Sequence, residues 1–357
     1  MILGRYRLIR PVLFRAEPEV AHDLAISALK VGIYPRAVRP AAPLLAQNLF
    51  GHLFPTPIGM AAGFDKNAEV ADALIKLGFG FVEIGTVTPE PQLGNPRPRM
   101  FRLKADEAVI NRLGFNSEGH ARVLSRLSSR TDTGVIGVNI GANKDSADWV
   151  EDYVKGVKIF SGLADYLTVN ISSPNTPGLR NLQTDRLLGE LLDRVMAALG
   201  DEGSCPVLVK IAPDLRDDEL AAIVEVAISK HVHGLIISNT TISRDGLIDQ
   251  KFARQEGGLS GPPLFALSTR VLAQAYLMAR GKLVLIGAGG VSSARDALTK
   301  IEAGAQLVQL YTAMVYQGPS IASKISADLA ALLKENGYGS VSEAVGASAK
   351  QLAILKM

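Results

Sequence analysis

Eight short apolar runs, each followed by a stretch with helical periodicity, divide the chain into repeating units. The runs are Ile58–Ala61, Phe81–Thr86, Val135–Ile140, Leu167–Ile171, Val207–Ile211, Gly234–Ser238, Leu283–Ile286 and Leu307–Tyr311. They are short, apolar and β-branched, the composition of strands buried on both faces. Amphipathic patterns follow near 67–77, 118–128, 147–161, 184–199, 216–230, 264–280, 292–302 and 319–334. Helix starts are marked by Asp214 ahead of Leu215, with acids in the next turn, and by Ser292 after Gly290. Alternating strand and helix implies a parallel sheet, and eight repeats imply a closed (β/α)8 TIM barrel. An open, doubly wound sheet is the alternative, and the count of eight argues against it.

The 357 residues fit one large domain with a small appendage. We expect a helical segment over 1–40, the barrel over 41–338 and a tail over 339–357 with no assignable role. The connections 87–117 and 241–263 are long, and both fall on the C-terminal face, where such loops form lids or binding surfaces. The net charge of +3 predicts no nucleic-acid partner. A single cysteine, Cys205, excludes a disulfide framework. No run of 18 apolar residues suggests a spanning helix, and arginines interrupt any secretory signal.

Positive charge concentrates in residues 1–40: Arg5, Arg7, Arg10, Arg15, Lys30, Arg36 and Arg39 against Glu17, Glu19 and Asp23. Ile2, Leu3, Tyr6, Leu8, Ile9, Val12, Leu13 and Phe14 are interleaved with them. That mixture suits a helix lying in a membrane interface, and equally an amphipathic helix packed on the body. A second helix, about 18–31, carries His22, Leu24, Ala25, Ala28 and Leu29, a face apolar enough to pack or to line a greasy opening.

Polar residues cluster just past the strand ends. Gly289 and Gly290 follow the seventh strand, where a barrel often binds phosphate against backbone N–H groups and a helix N-terminus; a glycine turn is the alternative. The G-x-G-x-x-G spacing of a dinucleotide site is absent. Lys210 stands inside an apolar strand, a buried charge that needs a partner. A flavin whose reduced ring carries negative charge would supply one, as would a structural ion pair. Asn111, Asn170, Asn175 and Asn239 share the rim, and their amides match the edges of a planar heterocycle. No histidine accompanies Ser173 at a neighbouring strand end, so a hydrolase triad has little support. No histidine set has zinc-ligand spacing. His231, His233 and Cys205 precede strands and belong to the far face.

These strings together resemble the class 2, quinone-linked dihydroorotate dehydrogenases over nearly the whole chain. The likeness rests on Ala61-Ala62-Gly63-Phe64-Asp65-Lys66, Gly94-Asn95-Pro96-Arg97-Pro98-Arg99, Asn111-Arg112-Leu113-Gly114-Phe115-Asn116, the stretch 170–178, Gly257-Gly258-Leu259-Ser260-Gly261 and Gly287–Gly290. The resemblance implies FMN as cofactor, held by Ala62, Gly63, Lys66, Thr86, Asn139, Asn170, Lys210, Ser238, Gly261, Gly290, Tyr311 and Thr312. It implies substrate contacts at Lys66, Asn111, Arg112, Leu113, Gly114, Phe115, Asn170, Asn175, Asn239 and Thr240. It makes Ser173 the catalytic base, where class 1 relatives have cysteine. It places His22 and Arg102 near the quinone, between the N-terminal helices. Phe64 and Ser238 depart from the leucine and threonine expected there.

The implied reaction is the oxidation of (S)-dihydroorotate to orotate in pyrimidine (UMP) biosynthesis, with electrons passed to a membrane quinone. Rivals are a class 1 enzyme using fumarate or NAD, another FMN barrel reductase, and a non-catalytic membrane-binding module. The expected setting is peripheral contact with the cytoplasmic face of the cell membrane, with no metal and no nucleic acid, and the monomer is the working expectation.

Overall fold

The computed structural model describes residues 2–35, 37, 42–176, 178–200 and 205–355, and their side chains except at 2–5 and 7. Arg36, Arg39, Pro177, the boundary at 40–41 and the side chains of Ile2, Leu3, Arg5 and Arg7 therefore lie outside the described residues.

Two helices open the chain, α1 (Ile2–Leu13) and α2 (Pro18–Lys30). The strands follow in chain order. First come β1 (Gln47–Leu49), β2 (His52–Phe54), β3 (Ile58–Met60) and β4 (Phe81–Val87), then β5 (Met100–Leu103) and β6 (Ala108–Asn111). After these come β7 (Val135–Ile140), β8 (Tyr166–Asn170), β9 (Val207–Ile211), β10 (Gly234–Ile237), β11 (Gly258–Ser260), β12 (Val284–Ala288) and β13 (Leu307–Leu310). The intervening helices are α3 (Ala71–Lys76), α4 (His120–Ser128), α5 (Trp149–Phe160), α6 (Asp185–Leu199), α7 (Asp217–Ser229), α8 (Phe265–Ala279), α9 (Ala294–Glu302), α10 (Thr312–Gln317) and α11 (Ile321–Glu335).

The strands β3, β4, β7, β8, β9, β10, β12 and β13 close into a parallel barrel in that cyclic order. All eight coincide with the apolar runs to within a residue or two at each end, and the (β/α)8 reading holds. The barrel is closed at its N-terminal end by packed rings. Phe54, delivered by the β1–β2 hairpin, meets Phe81 edge-on at 5.4 Å, and Tyr166 lies beside Phe81. Glycines in the strands make that packing possible: a Cβ on Gly59 would collide with the Phe81 ring, and one on Gly137 with Tyr166.

Three strands lie outside the barrel at its other end. The long connections 87–117 and 241–263 contribute β5, β6 and β11 to an antiparallel sheet in the order β11–β6–β5. The tail packs as well. Its short helices α12 (Val341–Ala344) and α13 (Ala349–Leu352) bury Val341 and Ala349, and Gly346 N–H donates to Ile301 at 3.0 Å.

Two helix starts differ from expectation. Helix α7 begins at Asp217, and Asp214 is no cap: its carboxylate pairs with Arg180 at 2.9 Å and accepts from the Thr241 hydroxyl. Helix α9 begins at Ala294 with Ser293 as its cap, while the Ser292 N–H and hydroxyl both donate to Asp296 at 2.9 Å.

Candidate active site

One cavity of about 530 Å3 runs from the C-terminal rim of the barrel out between α1 and α2. Ends of strands and the loops after them deliver its inner wall. Ala62, Gly63 and Lys66 follow β3, Thr86 ends β4, and Asn170, Ser173 and Asn175 come from β8 and beyond. Lys210 comes from β9, with Ser238, Asn239 and Thr240 after β10. Gly261 follows β11, Gly290 follows β12, and Tyr311 and Thr312 follow β13. Asn111, Leu113, Gly114 and Phe115 enter from β6 and the strand's return loop.

Two residues expected at the site do not line the cavity. Asn139 is fully buried behind the wall, where its Oδ1 accepts from Thr86 at 2.6 Å and from Asn170 at 3.1 Å. The Arg112 side chain turns outward, donating to Gln255 at 2.8 Å and to the Pro98 carbonyl at 2.9 Å, with its guanidinium over the Phe101 ring. It braces the β5–β6–β11 sheet instead of facing the chamber.

The inner chamber is polar and organised. Ser173 is buried, and its Oγ accepts the Asn175 N–H at 3.2 Å. Asn175 Nδ2 donates to Asn111 Oδ1 at 3.4 Å, and Asn239 Nδ2 donates to Ser172 Oγ at 2.9 Å. Arg180 holds this region together by donating to the carbonyls of Ser172 and Thr240, both at 3.1 Å. Lys66 donates to the Gly63 carbonyl at 2.9 Å, and burial lowers its pKa to about 8. Gly289 and Gly290 have φ of +99° and +78°, and a Cβ on Gly290 would lie 2.6 Å from Phe265. Their N–H groups find no partner among the described residues, as an anion cradle requires.

The outer chamber is apolar. Helix α2 contributes His22, Leu24, Ala25, Ala28 and Leu29, and α1 and its end contribute Ile9, Leu13 and Phe14. His22 lies edge-on to Phe64 at 5.2 Å, with its Nδ1 3.4 Å from the Tyr311 hydroxyl. Burial holds its pKa down to about 3, so the imidazole is neutral. Arg102 donates to the Ala16 carbonyl at 3.1 Å and covers the Phe14 ring at 4.7 Å. Glu19 on α2 forms a buried ion pair with Arg99, which also donates to the Leu93 and Asn95 carbonyls. These helices also leave apolar side chains bare: Leu8, Val12, and Ile9 and Leu24 of the chamber wall are more than half exposed. Among the described residues no helix is long and apolar enough to cross a membrane.

A family model described as dihydroorotate dehydrogenase matches residues 44–333. The chain belongs to the dihydroorotate dehydrogenase family. Over 343 residues it is 54% identical to the dihydroorotate dehydrogenase (quinone) of Parvibaculum lavamentivorans, covering 96% of this chain and 98% of the relative. Over 357 residues it is 54% identical to the dihydroorotate dehydrogenase (quinone) of a Bradyrhizobium species, covering 98% and 97%. A crystal structure of the Eimeria tenella enzyme in complex with ferulenol superposes with a TM-score of 0.90 at 40% identity, covering 94% of this chain and 98% of that one. The family is flavin-dependent, and the rim suits such a group: free N–H donors beside Gly290, an ammonium at Lys210 and amides at several strand ends.

In a dihydroorotate dehydrogenase barrel of this sequence, several residues matter that the motifs did not reveal. Glu83, fully buried on β4, lies 3.8 Å from Lys210. Gln309 lines the cavity, and its Oε1 is buried without a hydrogen-bond partner, as is Asn116 Oδ1. Arg180 and Asp214 tie the Ser173 loop to the loop after β10. Glu83 carried a readable signal, a charge within the apolar run Phe81-Val82-Glu83-Ile84. Gln309 carried the same kind of signal within Leu307-Val308-Gln309-Leu310, whereas the others depend on loop geometry that no spacing rule encodes.

Proposed function

We propose that this chain oxidises (S)-dihydroorotate to orotate for pyrimidine (UMP) biosynthesis with FMN as its flavin, and passes the electrons to a membrane quinone. The observation that carries this reading is the continuity of one cavity, amide- and lysine-lined within the barrel and apolar between α1 and α2. Identity of 54% to enzymes named for quinone favours that acceptor over fumarate or NAD.

FMN would be held by Ala62, Gly63, Lys66, Thr86, Asn170, Lys210, Ser238, Gly261, Gly290, Tyr311 and Thr312, with Asn139 supporting Thr86 and Asn170 from behind. When bound, the flavin supplies the acceptor for the hydride from C6 of the substrate and the donor of two electrons to quinone. Ser173 takes the proton from C5 as the C5–C6 double bond forms. The Asn175 N–H stabilises the serine oxygen, and with no carboxylate or imidazole bonded to that hydroxyl among the described residues, the proton passes on through water or a neighbouring hydroxyl. Lys66 pairs with the substrate carboxylate while Asn111, Asn175, Asn239 and Thr240 grip the ring amides and fix its orientation. Leu113, Gly114 and Phe115 close the substrate's side, and Arg112 acts by bracing that loop.

Residues 1–40 form the quinone-access segment, whose His22 flanks the quinone together with Arg102 of β5, and 41–338 form the FMN barrel, against whose helices α12 and α13 of the 339–357 tail pack. The exposed apolar side of α1 and α2 rests on the cytoplasmic face of the cell membrane, with the protein acting as a monomer. Steady-state assays with a quinone analogue, fumarate and NAD test the acceptor directly. Turnover with the quinone analogue alone supports the reading, and turnover only with fumarate or NAD overturns it.

A further inference from the structure

Glu83 has a place in the barrel that packing alone does not explain. Its side chain projects from β4 into the core, fully buried, immediately behind the cavity wall. Oε1 accepts from Asn139 Nδ2 at 2.8 Å, and Oε2 accepts from Gln309 Nε2 at 2.7 Å and from the Tyr166 hydroxyl at 3.2 Å. The Lys210 ammonium stands 3.8 Å from Oε1, within strong Coulombic range and too far for a hydrogen bond. Three neutral donors and one cation thus converge on the carboxylate, as a buried anion requires. Lys210 and Gln309 both reach the cavity, whereas Glu83 does not.

Lys210 is therefore a cation with its free donors facing the chamber and a fixed counter-charge at its back. A positive group at the wall favours electrons arriving on a bound redox group, and an anion behind it opposes them. We propose that Glu83 is a positioning residue that limits the electrostatic pull of Lys210 on the flavin and so keeps the flavin's midpoint potential low enough for onward delivery to quinone. The inference rests on the flavin reading above and adds to it a residue that touches neither substrate nor cofactor.

The test is the midpoint potential of the purified holoenzyme's flavin, read by spectroelectrochemistry, in the parent and in Glu83→Gln. The variant has room to fold, because the Gln309 amide can turn and offer its unpartnered Oε1 to the new amide nitrogen. We expect the potential to rise in Glu83→Gln and to fall in Lys210→Met. Glu83→Gln should then raise the potential less in the Lys210→Met background, where no ammonium is left for the carboxylate to offset. A potential unchanged or lowered by Glu83→Gln, or the same rise with Lys210 absent, would overturn the proposal and leave Glu83 a packing residue. Should Glu83→Gln not accumulate, Tyr166→Phe keeps the ring in the floor and strips one donor from Oε2. It should lower the potential, and a rise or no change would count against the proposal. A parent protein without flavin absorbance would sink the functional reading itself, whereas a yellow protein with an unmoved potential would sink only this inference.

Discussion

At its N-terminal end the barrel is filled by Phe54, Phe81, Tyr166, Leu208, Ile236 and Ile286, all fully buried. At its C-terminal end, Lys66, Asn111, Ser173, Asn175, Asn239 and Thr240 face a chamber instead of one another's apolar surface. The same strands build both ends. Near their starts, side chains find partners within the chain and contribute stability. At their ends, polar groups are left with donors and acceptors to spare, held by a second layer such as Arg180 and Asn139. The difference separates what holds the fold from what does chemistry, and it predicts that substitutions at the two ends fail in different ways.

The sharpest contrast is at Ser173. Ser173→Ala should slow flavin reduction by dihydroorotate by about 10²–10⁴-fold, the usual worth of a general base, with flavin content and melting temperature near the parent's. Stopped-flow reduction under anaerobic conditions measures it, and reduction at the parent rate would remove the serine from the mechanism. At the floor the pattern should invert. Phe81→Ala should cost about 3–5 kcal/mol in denaturant unfolding, the range for a fully buried ring, while the folded fraction keeps its kinetics.

Lys66 sharpens the rim's side of the comparison through pH. Burial lowers its pKa to about 8, so the ammonium is charged below that pH and neutral above it. If it holds the substrate carboxylate, KM for dihydroorotate should climb roughly tenfold per pH unit above about 8, the slope of one lost proton, with kcat changing far less. Lys66→Met should show a raised and pH-flat KM. A smaller effect is expected from Ser238→Thr, which adds one methyl to a buried position and should move flavin affinity by about 1 kcal/mol or less.

The eight barrel strands were legible because burial on both faces demands nearly continuous apolar, β-branched runs, and little else in the sequence has that texture. The strands β1, β2, β5, β6 and β11 were not, because they lie outside the repeating strand–helix pattern, ahead of the first unit or inside the long connections. Asp214 shows the limit of local cap rules, since a tertiary partner, Arg180, takes the carboxylate that a helix start would have used. Lys210 and Glu83 show another. Sequence displays two isolated charges in apolar strands, and only closure of the barrel through β7 and β8 brings them within 3.8 Å. The rim residues were legible as a set because they share a place, the strand end, and Arg112 fell outside it because a side chain's direction within a loop is fixed by partners such as Gln255.

The central claim is that the polar end of this barrel carries a flavin that dihydroorotate reduces. An anaerobic absorption spectrum of the purified protein tests it in one titration. The account predicts flavin bands near full occupancy that bleach on addition of dihydroorotate and return on addition of a quinone analogue; a colourless protein that takes up no FMN, or a yellow one that dihydroorotate leaves unbleached, would contradict it.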